Sequence, residues 1–271
     1  MPPAHFGCKR RVPDWIVAVV LGLIEGITEF LPISSTGHLL AAEHWLPRQS
    51  DLFNVIIQSA AVVAVLPLFR ARLQQFVFKW HEPATRDYFF KLAVAFVITG
   101  IGGVVLKKLK FELPKHLLPV ALALLVGGVC FLIVERWLRG RPLHDHVTWS
   151  IVWAVGLGQL IAIIFPGASR SGTTILLALS LGLNRPAATE FSFLVSIPTM
   201  LAAGGLEMFK ALRDPASAEN WKMLALATVV SAIVSFAAVK WLLRFVQSHT
   251  FVGFGWYRIL AGGFLLFLAL R

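Results

Sequence analysis

Six long apolar runs, near residues 52–69, 88–106, 117–138, 187–210, 222–246 and 253–271, constrain this chain more than any other feature. Each is long enough to cross the ~30 Å hydrocarbon core of a bilayer as a helix. A helix satisfies every backbone polar group within its own segment, which a strand achieves in lipid only inside a closed barrel. Barrel strands would read as short alternating segments, whereas these runs are continuous. With 57% hydrophobic and 14% charged residues, a 271-residue chain has too little polar surface for a soluble domain. The fold class expected is an all-α polytopic membrane protein, a single integral membrane domain over residues 1–271. Trp80, Trp137, Trp221, Trp241 and Trp256 fall near the expected span ends, where amphipathic rings favour the interface.

The net charge of +11 invites a nucleic-acid reading. The Lys and Arg residues, however, sit between the apolar runs, as in "RARLQQFVFKWHEPATRDYFFK" and "KKLKFELPK". That is the basic flanking of membrane spans, so the partner expected is the lipid bilayer and not a nucleic acid. The basic residues divide almost evenly between the two faces, and charge therefore does not set orientation. Cys8 and Cys130 are far apart in unlike contexts, and neither a disulfide nor a thiolate metal site is expected. No small-residue cleavage site follows a short apolar core, so no removed signal peptide is expected.

Two further segments, 14–45 and 149–183, begin apolar, break at a Pro/Gly/Ser-rich stretch, and resume apolar. Proline removes a backbone donor and disfavours helix in the residue before it. Non-helical backbone at membrane depth requires protein or a wet cavity around it. Each segment is therefore expected to form a re-entrant helix–loop–helix hairpin. The two also match each other. Gly22, Leu23, Glu25 and Pro32 correspond to Gly156, Leu157, Gln159 and Pro166 at a constant offset (156 − 22 = 134). One extra residue then aligns Ser34-Ser35-Thr36-Gly37-His38 with Ser169-Arg170-Ser171-Gly172-Thr173. Three spans separate the hairpins, so the second enters from the opposite side. The architecture expected is an inverted-topology repeat, approximately 14–138 and 149–271, with two broken helices meeting near the midplane.

The chemistry lies in the two breaks. In "EGITEFLPISSTGH", residues 25–38, Glu25 and Glu29 stand four apart, on one helix face. Two carboxylates in a low-dielectric setting need a proton, a basic partner or a divalent cation, and Mg²⁺ or Ca²⁺ prefers oxygen ligands of this kind. His38 follows a Ser34-Ser35-Thr36-Gly37 run that can gather hydroxyls and backbone N–H groups at a helix start, and its imidazole can move a proton near neutral pH. In "PGASRSGTT", residues 166–174, glycines and small hydroxyls can close on an anion at the positive end of the following helix. Arg170 is the basic residue of that loop, and its planar fork suits phosphate. No nucleotide-type GxxxxGK[ST] loop is present. The inventory is one for handling a phosphorylated, membrane-soluble molecule.

These two motifs resemble the signatures of the bacitracin-resistance type undecaprenyl-pyrophosphate phosphatases. The resemblance runs over nearly the whole chain, with "FNVIIQSAAVVAVL" and the hairpin order also fitting. It implies an integral membrane enzyme of the bacterial plasma (inner) membrane that removes the terminal phosphate of undecaprenyl pyrophosphate. The product is the lipid carrier reused in peptidoglycan synthesis. The resemblance further implies dependence on Mg²⁺ or Ca²⁺, a site toward the outer, periplasmic side, and Glu25 and Glu29 as metal-binding pair. Ser35, His38, Glu29 and Arg170 take the catalytic positions. Arg170, Ser169, Ser171, Gly172, Thr174 and Ser34 take the substrate-binding ones. Gln159 stands where the first repeat has Glu25, so the site is expected to be asymmetric.

Three routes to phosphate release stay open: Ser35 attacking with His38 as base, His38 attacking directly, or His38 activating water. The first is the preferred expectation. Oligomeric state is equally open, a homodimer included. A rival reading from the same architecture is a transporter or flippase of a phosphorylated lipid or anion. A carrier needs the binding charge but no nucleophile, which favours the enzyme.

Overall fold

The computed structural model describes residues 12–109, 116–213 and 220–270. Cys8 and the amino-terminal stretch discussed for signal cleavage lie outside the described residues. Cys130 is a free, partly buried thiol. Among the described residues the chain is helical throughout, with one isolated bridge between His144 and Leu183 as its only β pairing.

In chain order the helices are α1 (Asp14–Thr28), α2 (Ser35–Ala42), α3 (Asp51–Val65), α4 (Arg70–Phe78), α5 (Pro83–Lys108), α6 (Leu117–Trp137), α7 (Trp149–Ile164), α8 (Arg170–Ser180), α9 (Arg185–Arg213), α10 (Trp221–Phe245) and α11 (Val252–Ala269). Six continuous helical stretches are long and apolar enough to cross a membrane, and they coincide with the six apolar runs. The first is longer than its run. A 3₁₀ turn over Leu66–Phe69 joins α3 to α4, so helix continues to Phe78 through residues expected to be a polar gap. Arg72 explains this extension, because it donates to Glu190 of α9 at 2.7 Å and lies over the Tyr88 ring of α5. A tertiary ion pair holds a polar helix where hydrophobicity alone would have ended it.

The outer surface is apolar. Val126, Ile133, Ile233 and Leu260 are each more than 60% exposed, and so are many other large side chains. A soluble protein would not tolerate so large a patch. Facing acyl chains, the same surface carries no penalty, and the protein is a multi-pass membrane protein.

Inside the bundle, α6 packs along α11, α1 along α10, α7 along α5, and α3 along α9. The pairing is reciprocal: the first broken segment leans on a helix of the second half, the second on a helix of the first. That packing is consistent with an inverted repeat. Small residues permit the close approach. A Cβ on Gly26 would lie 2.7 Å from the Ser231 carbonyl oxygen of α10, and one on Gly22 would lie 2.8 Å from that of Ala227. Gly26→Leu should therefore force α1 off α10 at an overpacking cost of about 1–3 kcal/mol. A fall of several degrees in detergent melting temperature is the expected readout, and an unchanged transition would contradict this contact.

Both breaks are built alike. Pro32 and Pro166 lie in the loops, and each loop ends in a serine that caps the next helix. Ser34 has φ +73° and accepts from the Gly37 N–H at 3.3 Å; Ser169 has φ +67° and accepts from the Gly172 N–H at 3.1 Å. These are the two non-glycine residues with positive φ among the described residues. Such backbone is unfavourable for an L-residue by about 1–3 kcal/mol and persists only where its surroundings enforce it. The strained pair falls on the positions aligned by sequence, Ser34 with Ser169.

Candidate active site at the junction of the two breaks

The loops after α1 and α7 meet in the middle of the bundle. Ser171 donates its hydroxyl to the Leu31 carbonyl at 3.1 Å, tying the second break to the first. Beside this contact lies a cavity of about 160 Å³. Its wall includes Glu29, Ser34 and Ser35 from the first break, and Gly167, Ser169 and Arg170 from the second. Gln58, Thr99, Gln159 and Thr199, from α3, α5, α7 and α9, close it from the sides.

Glu29 is the centre of the polar chemistry. It caps the C-terminus of α1 and is 8% exposed. Its Oε2 accepts the Ser35 hydroxyl at 2.6 Å, and its Oε1 forms an ion pair with the Arg170 guanidinium. One carboxylate thus binds the first residue of α2 and the first residue of α8. Hydroxyl, carboxylate and guanidinium form a continuous chain across the two breaks.

His38 takes a different direction. Its Nδ1 donates to the Ser34 carbonyl at 2.7 Å, which leaves Nε2 to accept from the Tyr257 hydroxyl of α11 at 2.6 Å. Both ring nitrogens are engaged away from Ser35, and His38 is not on the cavity wall. Ser35, expected from sequence to act with His38, is hydrogen-bonded here to Glu29, while the imidazole turns toward α11.

The second motif divides by function. Ser169 and Arg170 face the cavity. Ser171 fastens the loops together. Thr174 is fully buried and bonds the Arg170 carbonyl at 2.7 Å and the Ser192 hydroxyl at 2.5 Å, so it supports the turn that carries the arginine. Gly172 packs beside Arg258, where a Cβ would lie 3.0 Å from Nη1.

Behind Glu29, Glu25 is 0% exposed, and neither carboxylate oxygen has a hydrogen-bond partner. Its repeat counterpart Gln159 is 1% exposed; Nε2 donates to Thr99 at 3.0 Å, while Oε1 is unpartnered. Buried oxygens without partners are costly. The neighbouring carboxyl groups of Glu25 and Glu29 are oxygen donors of the kind that suits a hard divalent cation. Among the described residues no cluster of three or more His, Cys, Asp or Glu is present. The donor set therefore fits a cation in kind, with two carboxylates and further oxygens to come from solvent or substrate.

Sequence reasoning passed over Thr99, Gln58, Thr199, Tyr257 and Arg258. Gln58 was visible within "FNVIIQSA", and Thr199 directly follows the polar stretch "EFSFLVSIP" of α9. Arg258 carried the stronger signal, an arginine inside an otherwise apolar terminal run.

A serine, a carboxylate and an arginine joined between two broken helices, inside an all-helical membrane bundle, suit a membrane protein that handles phosphate groups. Residues 18–264 match the family model described as bacitracin resistance protein BacA, and the chain belongs to that family. It is 53% identical over 255 residues to an undecaprenyl-diphosphatase of Rhizobium etli, covering 93% of this chain and 96% of that protein. It is 48% identical to one from Xanthomonas euvesicatoria, over 93% and 96% of the two chains. It is 47% identical to one from Xylella fastidiosa, over 93% and 98%.

Proposed function

We infer that this protein is an undecaprenyl-diphosphatase: it hydrolyses undecaprenyl pyrophosphate to the monophosphate and inorganic phosphate. The observation that carries the reading is Glu29, held between the Ser35 hydroxyl and the Arg170 guanidinium on the wall of the cavity. Ser35 Oγ attacks the terminal phosphorus while Glu29 takes its proton. The bond to the bridging oxygen breaks, and lipid monophosphate leaves. Water then hydrolyses the phosphoserine. Arg170 neutralises charge on the transferred phosphoryl group, whose transition state is stabilised chiefly by positioning and electrostatics. The reading is of a bacterial plasma-membrane enzyme with an inverted repeat, its re-entrant loops opening to the outer side. Long prenyl pyrophosphates should turn over better than short soluble ones, because the tail partitions into lipid between spans.

Glu25 and Glu29 would hold Mg²⁺ or Ca²⁺, which when bound supplies positive charge to the pyrophosphate. Chelation should abolish phosphate release and either ion should restore it. Glu25→Gln should raise the metal concentration needed for half-maximal rate by about 10–100-fold. Full activity in excess chelator would refute this part.

The deciding experiment is phosphate release from undecaprenyl pyrophosphate by the purified protein in detergent. Metal-dependent release establishes the phosphatase. No release from demonstrably folded protein would favour the carrier reading, with the same loops binding a substrate they do not cleave.

A further inference from the structure

Arg258 lies in the last span, is 0% exposed, and forms no ion pair with any carboxylate among the described residues. An arginine so placed is expensive unless its charge is solvated by the protein. Here backbone carbonyls do so at both terminal nitrogens, while the buried Nε has no partner among the described residues. Nη1 donates to Pro32 O at 3.1 Å, and Nη2 to Gly167 O at 3.2 Å, Ala168 O at 3.0 Å and Ala123 O at 3.3 Å. Three of the four acceptors belong to the two breaks, where interrupted helices leave carbonyls that lipid cannot satisfy. The fourth belongs to α6.

The acceptors are spaced to matter. Pro32 stands midway between Glu29 and Ser35, and Gly167 and Ala168 immediately precede Ser169 and Arg170. One guanidinium thus holds the turn that sets the Ser35–Glu29 contact and the turn that aims Arg170. The surroundings are shaped to admit it: a Cβ on Gly127 would sit 2.1 Å from Nη2, and one on Gly172 would sit 3.0 Å from Nη1. A lysine offers its three donors from a single point, without the planar fork that here spans carbonyls of both breaks and of α6.

We propose that Arg258 is a positioning residue for the phosphatase, locking the two breaks in the register that brings Ser35, Glu29 and Arg170 together. The proposal rests on the phosphatase reading above. It acts through backbone and is not on the wall of the cavity that holds Ser35, Glu29 and Arg170, so its loss should lower kcat and leave KM little changed.

The test measures kcat, KM and detergent melting temperature for the wild type, Arg258→Gln, Arg258→Lys and Gly127→Ala on a long-chain prenyl pyrophosphate. Misplacement of reacting groups by about 1 Å costs on the order of 100-fold in rate, and a loss of that size in kcat is expected for Arg258→Gln. Arg258→Lys should recover part of it. Gly127→Ala keeps the arginine but displaces its guanidinium, and its kcat should fall in the same direction. Folded Arg258→Gln with wild-type kcat would overturn the proposal. If that variant does not fold, wild-type kcat in folded Gly127→Ala and Arg258→Lys would overturn it equally. A lowered melting temperature with unchanged kcat would reduce Arg258 to a structural anchor. No release by the wild type would instead overturn the phosphatase reading itself.

Discussion

Arg170→Ala should lower kcat/KM for phosphate release by about 10³-fold or more, the range measured for arginines that stabilise a transferring phosphoryl group. Two losses combine. The cavity loses the one cationic side chain on its wall. Glu29, only 6% exposed in its side chain, also loses its cationic partner and is left buried and uncompensated. Arg170 is the first residue of α8, so the helix N-terminus adds to its field but cannot replace its fork. Arg170→Lys keeps a charge without two parallel donors and should fall between wild type and alanine. Steady-state kinetics of the three proteins, each with its melting temperature, decide the matter. An alanine variant within tenfold of wild type would place the arginine outside the reaction.

The spans were legible because a bilayer imposes one demand, continuous apolar helix, and the sequence meets it six times. The breaks were legible because proline and glycine fail that demand at two places with matching spacing. The capping serines go further: Ser34 and Ser169 aligned by sequence and adopt the same left-handed backbone. Arg170 and Glu29 were legible as residue types that lipid excludes. Their pairing was not, since only tertiary contact brings residues 141 positions apart into one ion pair.

Other parts lay beyond local pattern. Nothing in "RARLQQFVF" announces that Arg72 will meet Glu190 and carry helix past Phe69. Thr174, expected to bind phosphate from its place in the motif, is buried against Ser192, a contact that the motif does not announce. Glu135, at the end of α6, is 1% exposed and binds both Arg185 and the Phe251 N–H. Like Arg258, it is a buried charge in an apolar run, readable in kind but not in partner. Motif membership identifies which residues crowd a site; side-chain direction decides what each one does there.

The nucleophile and base proposed above rest on such directions, and the proposal yields the second large effect. Ser35→Ala should reduce kcat by at least about 10⁴-fold, as removal of an attacking hydroxyl does elsewhere. Glu29→Gln should come close to it. The amide can still accept from the Ser35 hydroxyl, but it cannot take the proton and no longer pairs with Arg170 as an anion. His38→Gln should lose distinctly less, because the imidazole touches neither Ser35 nor the cavity wall and instead links the Ser34 carbonyl to Tyr257. The ordering Ser35 ≈ Glu29 > His38 is therefore the expected result for phosphate release, with melting temperatures as the control for folding. Rapid quench with labelled substrate supplies the independent reading: label retained on Ser35 supports direct attack by the hydroxyl. Label on His38 would put the imidazole in place of Ser35 as nucleophile, and a His38 variant as inactive as Ser35→Ala, with label still on Ser35 in the wild type, would put it in place of Glu29 as base. Since a carboxylate hydrogen-bonded at 2.6 Å needs no rearrangement to accept that proton, the geometry favours Glu29 before substrate arrives.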